Sequence, residues 1–224
     1  MSRAAGSVSP WSDDEIADAP PSRPGLTARG ERTRAKLLTA AEDVFAELGY
    51  HDASIVKLTE AAGVGQGTFY LYFSSKLQIF EELVDDLNRR VRHAMTEGAA
   101  VGGTRIESER LGFQAFFRFT AEHPALYGII RQAEFVSPAA LRRHYSRIVA
   151  GYTEGLTAAA AAGQIAPDVD PVVAAWALMG IGELVGMRWV LWDDAAEMPP
   201  PVFDEVMRLV QRALGARDVP GGLR

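Results

Sequence analysis

SIVKLTEAAGVGQGTFYLYFSSK, residues 54 to 76 of 224, is the stretch whose reading decides the fold. Ser54 can cap a helix, and Ile55, Leu58 and Ala62 recur at helical spacing, which predicts a first helix of about two turns. Gly63 stops it, because the residue past a helix end commonly takes a left-handed backbone that glycine adopts without steric cost. After Val64 the chain re-enters helix at Gly65 or Gln66. Two short helices joined by such a turn form a helix-turn-helix, which reads DNA by laying its second helix in the major groove.

At 100° per residue the second helix divides into two faces. Phe69 and Phe73 share one and are expected in the core. Gly67, Thr68 and Leu71 lie opposite, flanked by Tyr70 and Tyr72. Threonine can hydrogen-bond a base edge, leucine can touch a thymine methyl, glycine permits close backbone approach, and tyrosine hydroxyls suit phosphate oxygens. Ser75 with Gln78 is a capping-box pattern that opens a further helix. Lys76 then falls in a first turn, where the macrodipole disfavours a cation, and a phosphate bound there would relieve the conflict.

Leu37 through Lys76 resembles the DNA-binding domain of the TetR family of transcriptional regulators. The resemblance is carried by Gly63-Val64, then Gly67-Thr68-Phe69-Tyr70-Leu71-Tyr72-Phe73, then Ser75-Lys76. It implies that Gln66, Gly67 and Thr68 face bases and that Tyr70, Tyr72 and Lys76 hold phosphates. Tyr72 stands where many members have histidine and Leu71 occupies a variable position, so sequence preference does not transfer.

Upstream, Leu37, Leu38, Ala41, Val44, Phe45 and Leu48 make one amphipathic face that Gly49 closes. The opening turn of that helix carries Arg29, Arg32, Arg34 and Lys36, a cluster expected along the phosphate backbone, with Arg34 taken as a DNA contact. Between residues 29 and 76 six basic side chains balance six acidic ones, so the net charge of −6 lies outside this segment. That overall charge argues against non-specific coating of nucleic acid. Residues 1–28, rich in Pro, Ser, Ala and acid, read as a disordered arm without a signal-peptide pattern.

Downstream, the rhythm predicts a connecting helix over 76–97, ending before Gly98 and a Gly-rich loop to Thr104. Residues 98–216 are then a second helical domain for ligand binding and dimerisation. Its helices are expected at about Arg105 to Glu122, Pro124 to Arg131, Pro138 to Ala162, Pro171 onward behind an Asp170 cap, and Val202 to Leu214. No alternating strand pattern competes, and the fold class is all-α. Val172 to Trp192 is apolar and nearly long enough to span a bilayer, but Glu183, Arg188 and the glycines Gly180, Gly182 and Gly186 favour a buried, closely packed helix and no membrane contact.

Dimeric DNA readers gain affinity from two half-sites, and the expected homodimer contact is the pair of helices from Val172 to Trp192 and from Val202 to Leu214. Phe113, Phe116, Phe117, Tyr127, Arg131, Glu134, Tyr145, Tyr152, Trp176 and Met179 offer an aromatic wall with sparse polar anchors, the composition of a small-molecule site. A small, largely apolar effector that releases operator follows from the family resemblance, and makes the chain a cytoplasmic, ligand-responsive repressor.

Two other classes stay open: a helical protein-interaction adaptor and a small all-α enzyme. Against an enzyme, the glycines from Gly63 to Gly67 miss the dinucleotide spacing and follow no strand. His51, His93, His123 and His144 are scattered, and His93 with Glu97 gives two metal ligands without a third. The absence of cysteine excludes disulfides and thiolate zinc sites. No catalytic residue, cofactor or metal is assigned.

Overall fold

The computed structural model describes residues 26–216, and among them every regular element is helical. In chain order these are α1 (Ala28–Asp52), α2 (Ile55–Ala62), α3 (Gln66–Tyr72), α4 (Lys76–Ala99), α5 (Arg105–Glu122), α6 (Ala125–Val136), α7 (Pro138–Ala161), α8 (Pro171–Gly186) and α9 (Pro200–Ala213). A π-helical turn, Met187–Leu191, continues α8. Residues 1–25, most of the predicted arm, lie outside the described residues. The described chain forms two compact units, one from residues up to 90 with 123–146, the other from 91–122 with 147–216.

In the first unit, Thr27 caps α1 by accepting from the Gly30 amide at 3.2 Å. Leu37, Ala41 and Phe45 are fully buried along its inner face. Gly49 breaks the helix as expected, with φ 74° and ψ 166°, a region that only glycine enters readily. One further turn follows, closed by Ala53 N–H on the Gly49 carbonyl at 3.2 Å. Phe45, Tyr50 and Phe80 then form an aromatic cluster, with Tyr50 stacked on Phe45 at 5.7 Å and edge-on to Phe80 at 5.1 Å.

The two-helix motif forms as its caps dictate. Ser54 Oγ accepts from Lys57 N–H, and Gly63 sits at φ 65°, ψ 36°. Phe69 and Phe73 are fully buried, although Phe73 already lies in extended backbone just past α3. Ser75 Oγ accepts from Gln78 N–H at 3.0 Å, while Gln78 Oε1 reaches back to the Ser74 amide at 2.7 Å. The capping box is thus closed one residue further out than the simple pattern.

In the second unit, Gly98 does not end α4. A β-carbon there would stand 2.7 Å from Ala115 Cβ and 2.9 Å from the Leu111 carbonyl, so this glycine lets α4 and α5 approach closely within an unbroken helix. Gly182 and Gly186 leave room on α8 for Phe113, Phe116 and Phe117, whose nearest ring atoms lie 3.3–3.5 Å from the β-carbon positions of the two glycines. Asp170 caps α8 through Val172 and Val173 N–H. The helix is not the buried rod expected from its composition. Pro171–Leu191 is long and apolar enough to cross a membrane by length and composition, yet only 22% of its apolar window is buried within the chain. Ala175, Leu178, Gly182 and Gly186 face inward, whereas Val173 and Leu184 are more than 60% exposed.

A polar network crosses the same unit. Arg105 pairs with Glu109, and Tyr152 donates to the other oxygen of Glu109 at 2.6 Å. Side chains of Arg105 and Glu109 are 2% and 0% exposed. Burial, and then the Glu109 carboxylate, raises the Tyr152 phenol well above its ordinary value of 10.0. Below that value the phenol is protonated in both the folded and unfolded chain and contributes no pH dependence. Above it the unfolded chain releases the proton while the folded chain retains it, so stability falls as pH rises. Urea midpoints measured across about pH 9 to 11 should therefore fall less steeply for Tyr152→Phe than for the wild type.

Candidate nucleic-acid interface

The helix-turn-helix presents the face that its sequence predicts. Gln66 and Gly67 are exposed and Thr68 is half-buried. Tyr70 and Leu71 are 57% and 71% exposed, although a solvated helix would not ordinarily display a leucine so fully. Behind them Phe69 is inaccessible and lies 5.6 Å from Phe73, which fixes the roll of α3. A β-carbon at Gly67 would meet nothing within 4 Å, so this position opens outward. Tyr72 is half-buried, with its hydroxyl 3.4 Å from the β-carbon position of Gly30, which places it beside the first turn of α1.

Two residues predicted to touch phosphate are used otherwise. Arg34 is 9% exposed, pairs with Glu82, and lies over the Phe73 ring at 5.5 Å. It therefore ties α1 to α4, because Glu82, held by Gln78 at 2.9 Å, sits 48 positions away where no local pattern reveals it. Lys76 turns its ammonium onto the carbonyls of Tyr50 at 2.6 Å and Ala53 at 2.7 Å, with the Tyr50 ring 4.3 Å away. Its cation thus answers the carbonyl-rich end of α1, and no phosphate is required to relieve the first-turn conflict. Burial lowers the Lys76 pKa, with Asp52 pushing it the other way. The exposed cations of this region are Arg29, Arg32, Lys36 and Lys57. The first three belong to the predicted basic cluster, of which only Arg34 turns inward.

The ten residues of the predicted ligand wall are divided. Tyr127, Arg131, Glu134 and Tyr145 belong to the first unit, and Phe113, Phe116, Phe117, Tyr152, Trp176 and Met179 to the second. Arg131 and Glu134 are exposed on α6, Phe113 and Phe117 are core packed on α8, and Tyr152 holds Glu109. Within the second unit a cleft of about 510 Å³ is lined by Arg110, Gln114, Phe117, Arg118, Met198 and Phe203 among others. Phe117 alone was expected in such a site. Phe203, on α9, lies outside the expected set.

Residues 37–83 match the family described as bacterial regulatory proteins, tetR family. The HTH-type transcriptional regulator YdgC of Bacillus subtilis is 37% identical over 101 residues, which cover 43% of this chain and 52% of that protein. The chain thus spans about half the length of that relative. The fatty acid metabolism regulator protein of B. subtilis is 29% identical over 172 residues, 73% of this chain and 86% of that protein. In fold, the B. subtilis transcriptional regulator FadR in complex with stearoyl-CoA superposes with a TM-score of 0.69 at 23% identity, over 82% of this chain and 99% of that one. The matched motif, residues 37–83, is thus a capped helix-turn-helix of the tetR type, and it stands on an all-helical body with the fold of these regulators.

Proposed function

We propose that the protein is a homodimeric repressor of the bacterial cytoplasm that binds duplex DNA through α3 and is released by a small, largely apolar effector. One observation carries the reading: Gln66, Gly67, Thr68, Tyr70 and Leu71 form an outward row on a helix whose back is anchored by the inaccessible Phe69. Gln66 and Thr68 select bases, Leu71 contacts thymine methyls, and Tyr70 and Tyr72 hold phosphates. Arg29, Arg32 and Lys36 replace Arg34 and Lys76 as the cations along the backbone, since their side chains are exposed.

The twin is held through α8 and α9. Support comes from Val172, Val173, Trp176, Leu184 and Leu209, apolar side chains at least 47% exposed on these helices. The effector class rests on Phe117, Met198 and Phe203 in the lining of the second-unit cleft, where they stand beside the charged Arg110 and Arg118, and on the stearoyl-CoA bound by FadR. Release requires the effector to prefer the released conformation, because equal affinity for both states shifts nothing.

Selection from a random 30-base-pair duplex library tests the reading. The wild-type protein should enrich a two-half-site sequence and bind it in a gel shift with an affinity that falls steeply with salt. Failure to enrich any sequence would remove the DNA-reading assignment.

A further inference from the structure

We infer that Gln132, on α6, is a positioning residue for DNA reading that acts through the broken end of α1. The inference rests on the DNA-binding role proposed above. At Gly49 the α1 helix loses its regular hydrogen bonding, because φ 74° and ψ 166° turn the chain out of the helical path. A break of this kind strands the amides that follow it. Gln132 takes one of them and reaches back to a carbonyl ahead of the break. Its Oε1 accepts from Tyr50 N–H at 2.6 Å, and its Nε2 donates to the Phe45 carbonyl at 3.3 Å and to the Gly128 carbonyl of its own helix at 3.1 Å. One side-chain amide, 82 positions from Tyr50 along the chain, stitches the interruption with both of its ends.

Tyr50 is thereby held from two directions. Gln132 takes its amide while Lys76 takes its carbonyl at 2.6 Å and that of Ala53 at 2.7 Å. Ala53 immediately precedes Ser54, the cap of α2. The turn that launches the helix-turn-helix is clamped between the first turn of α4 and the middle of α6. Two further ties hold the end of α6 and the start of α7 to α4 within this unit: Ser137 Oγ donates to Glu81 at 2.6 Å, and Asn88 Nδ2 donates to the His144 carbonyl at 2.9 Å. The α6 segment is therefore part of the unit that presents the reading helix, and Gln132 is its contact with the launching turn.

The test uses the full chain and the duplex selected by the wild type. Gln132→Met keeps the length and removes both hydrogen-bonding ends. It should raise the Kd about tenfold, because a launching turn that has lost its hold on the Tyr50 amide spends about tenfold less time in the reading position. In hydrogen exchange the peptide containing the Tyr50 amide should lose protection while peptides from α5 and α8 keep theirs. Gln132→Glu retains the acceptor for Tyr50, so it should preserve Tyr50 protection and stay within about threefold of wild-type affinity. Faster exchange at Tyr50 with an unchanged Kd would reduce Gln132 to a stabilising contact and overturn the inference. So would a tenfold loss in Gln132→Glu with Tyr50 still protected, and that variant decides the matter even if Gln132→Met fails to fold. A wild-type protein that enriches no duplex refutes the DNA-binding role itself, an outcome separate from either of these.

Discussion

Leu71→Glu will leave the fold intact and reduce affinity for the selected duplex by about a hundredfold or more. The side chain is 71% exposed, and surface substitutions of that kind change stability by about 0.5 kcal/mol or less. In the proposed complex the same position faces a polyanion. Placing a carboxylate there sets like charges together at a cost of several kcal/mol, and each 1.4 kcal/mol is about tenfold in affinity. Thermal unfolding and a gel shift on the same preparation separate the two effects. Retained affinity with an unchanged melting curve would mean that α3 does not enter the groove by this face. Leu71→Ala is the milder companion, removing one apolar contact, and its loss should concentrate on sites that carry thymine at the contacted position.

The second large effect falls in the other unit. Glu109→Ala should lower the unfolding free energy by about 3–5 kcal/mol, the usual consequence of leaving a buried charge without its partner. Arg105 would keep its cation in a site where only 2% of the side chain meets solvent, and Tyr152 would lose its acceptor. Arg105 Nε and Nη1 already lack partners, so the guanidinium has nothing to fall back on. A domain of ordinary stability, about 5–15 kcal/mol, loses a large fraction of it. The decrease should appear as a shift in the urea midpoint, and a shift corresponding to less than about 1 kcal/mol would contradict the assignment. Replacing the pair together, Arg105→Met with Glu109→Leu, removes both charges and should restore much of the loss.

How far the sequence revealed these features depended on the distance over which each is decided. The helix-turn-helix was legible because its determinants are local: Ser54 bonds three residues ahead, Gly63 supplies the left-handed stop, and Phe69 with Phe73 sets the buried side. The outward placement of Gly67, Thr68, Tyr70 and Leu71 followed from the same arithmetic, and that of Gln66 from the family resemblance. The protein partners of Arg34 and Lys76 were not legible, because a cation near a DNA-binding motif has two outlets, phosphate or protein. The protein partners Glu82 and Tyr50 lie 48 and 26 positions away. Gly98 looked like a helix stop for a similar reason, since a glycine that admits a neighbouring helix and one that ends its own helix are identical in sequence. The aromatic wall was a statement about composition, whereas Phe113 and Phe117 are committed to the glycine face of α8, a choice fixed only by packing. Gln132 carried no signal at all. Its role exists only because α6 comes to rest beside the break in α1.

The engagement of Lys76 also bears on covalent chemistry. The chain contains three lysines, at 36, 57 and 76. An amine-directed reagent needs a free, deprotonated nitrogen, and the Lys76 nitrogen is occupied by carbonyl oxygens beneath a phenol ring. Acylation will therefore concentrate at Lys36 and Lys57, the exposed pair, and Lys76 will become reactive only when the turn at Tyr50 opens. That makes Lys76 a built-in chemical reporter: its labelling rate, read by mass spectrometry, follows the opening of the joint between the first helix and the motif it supports.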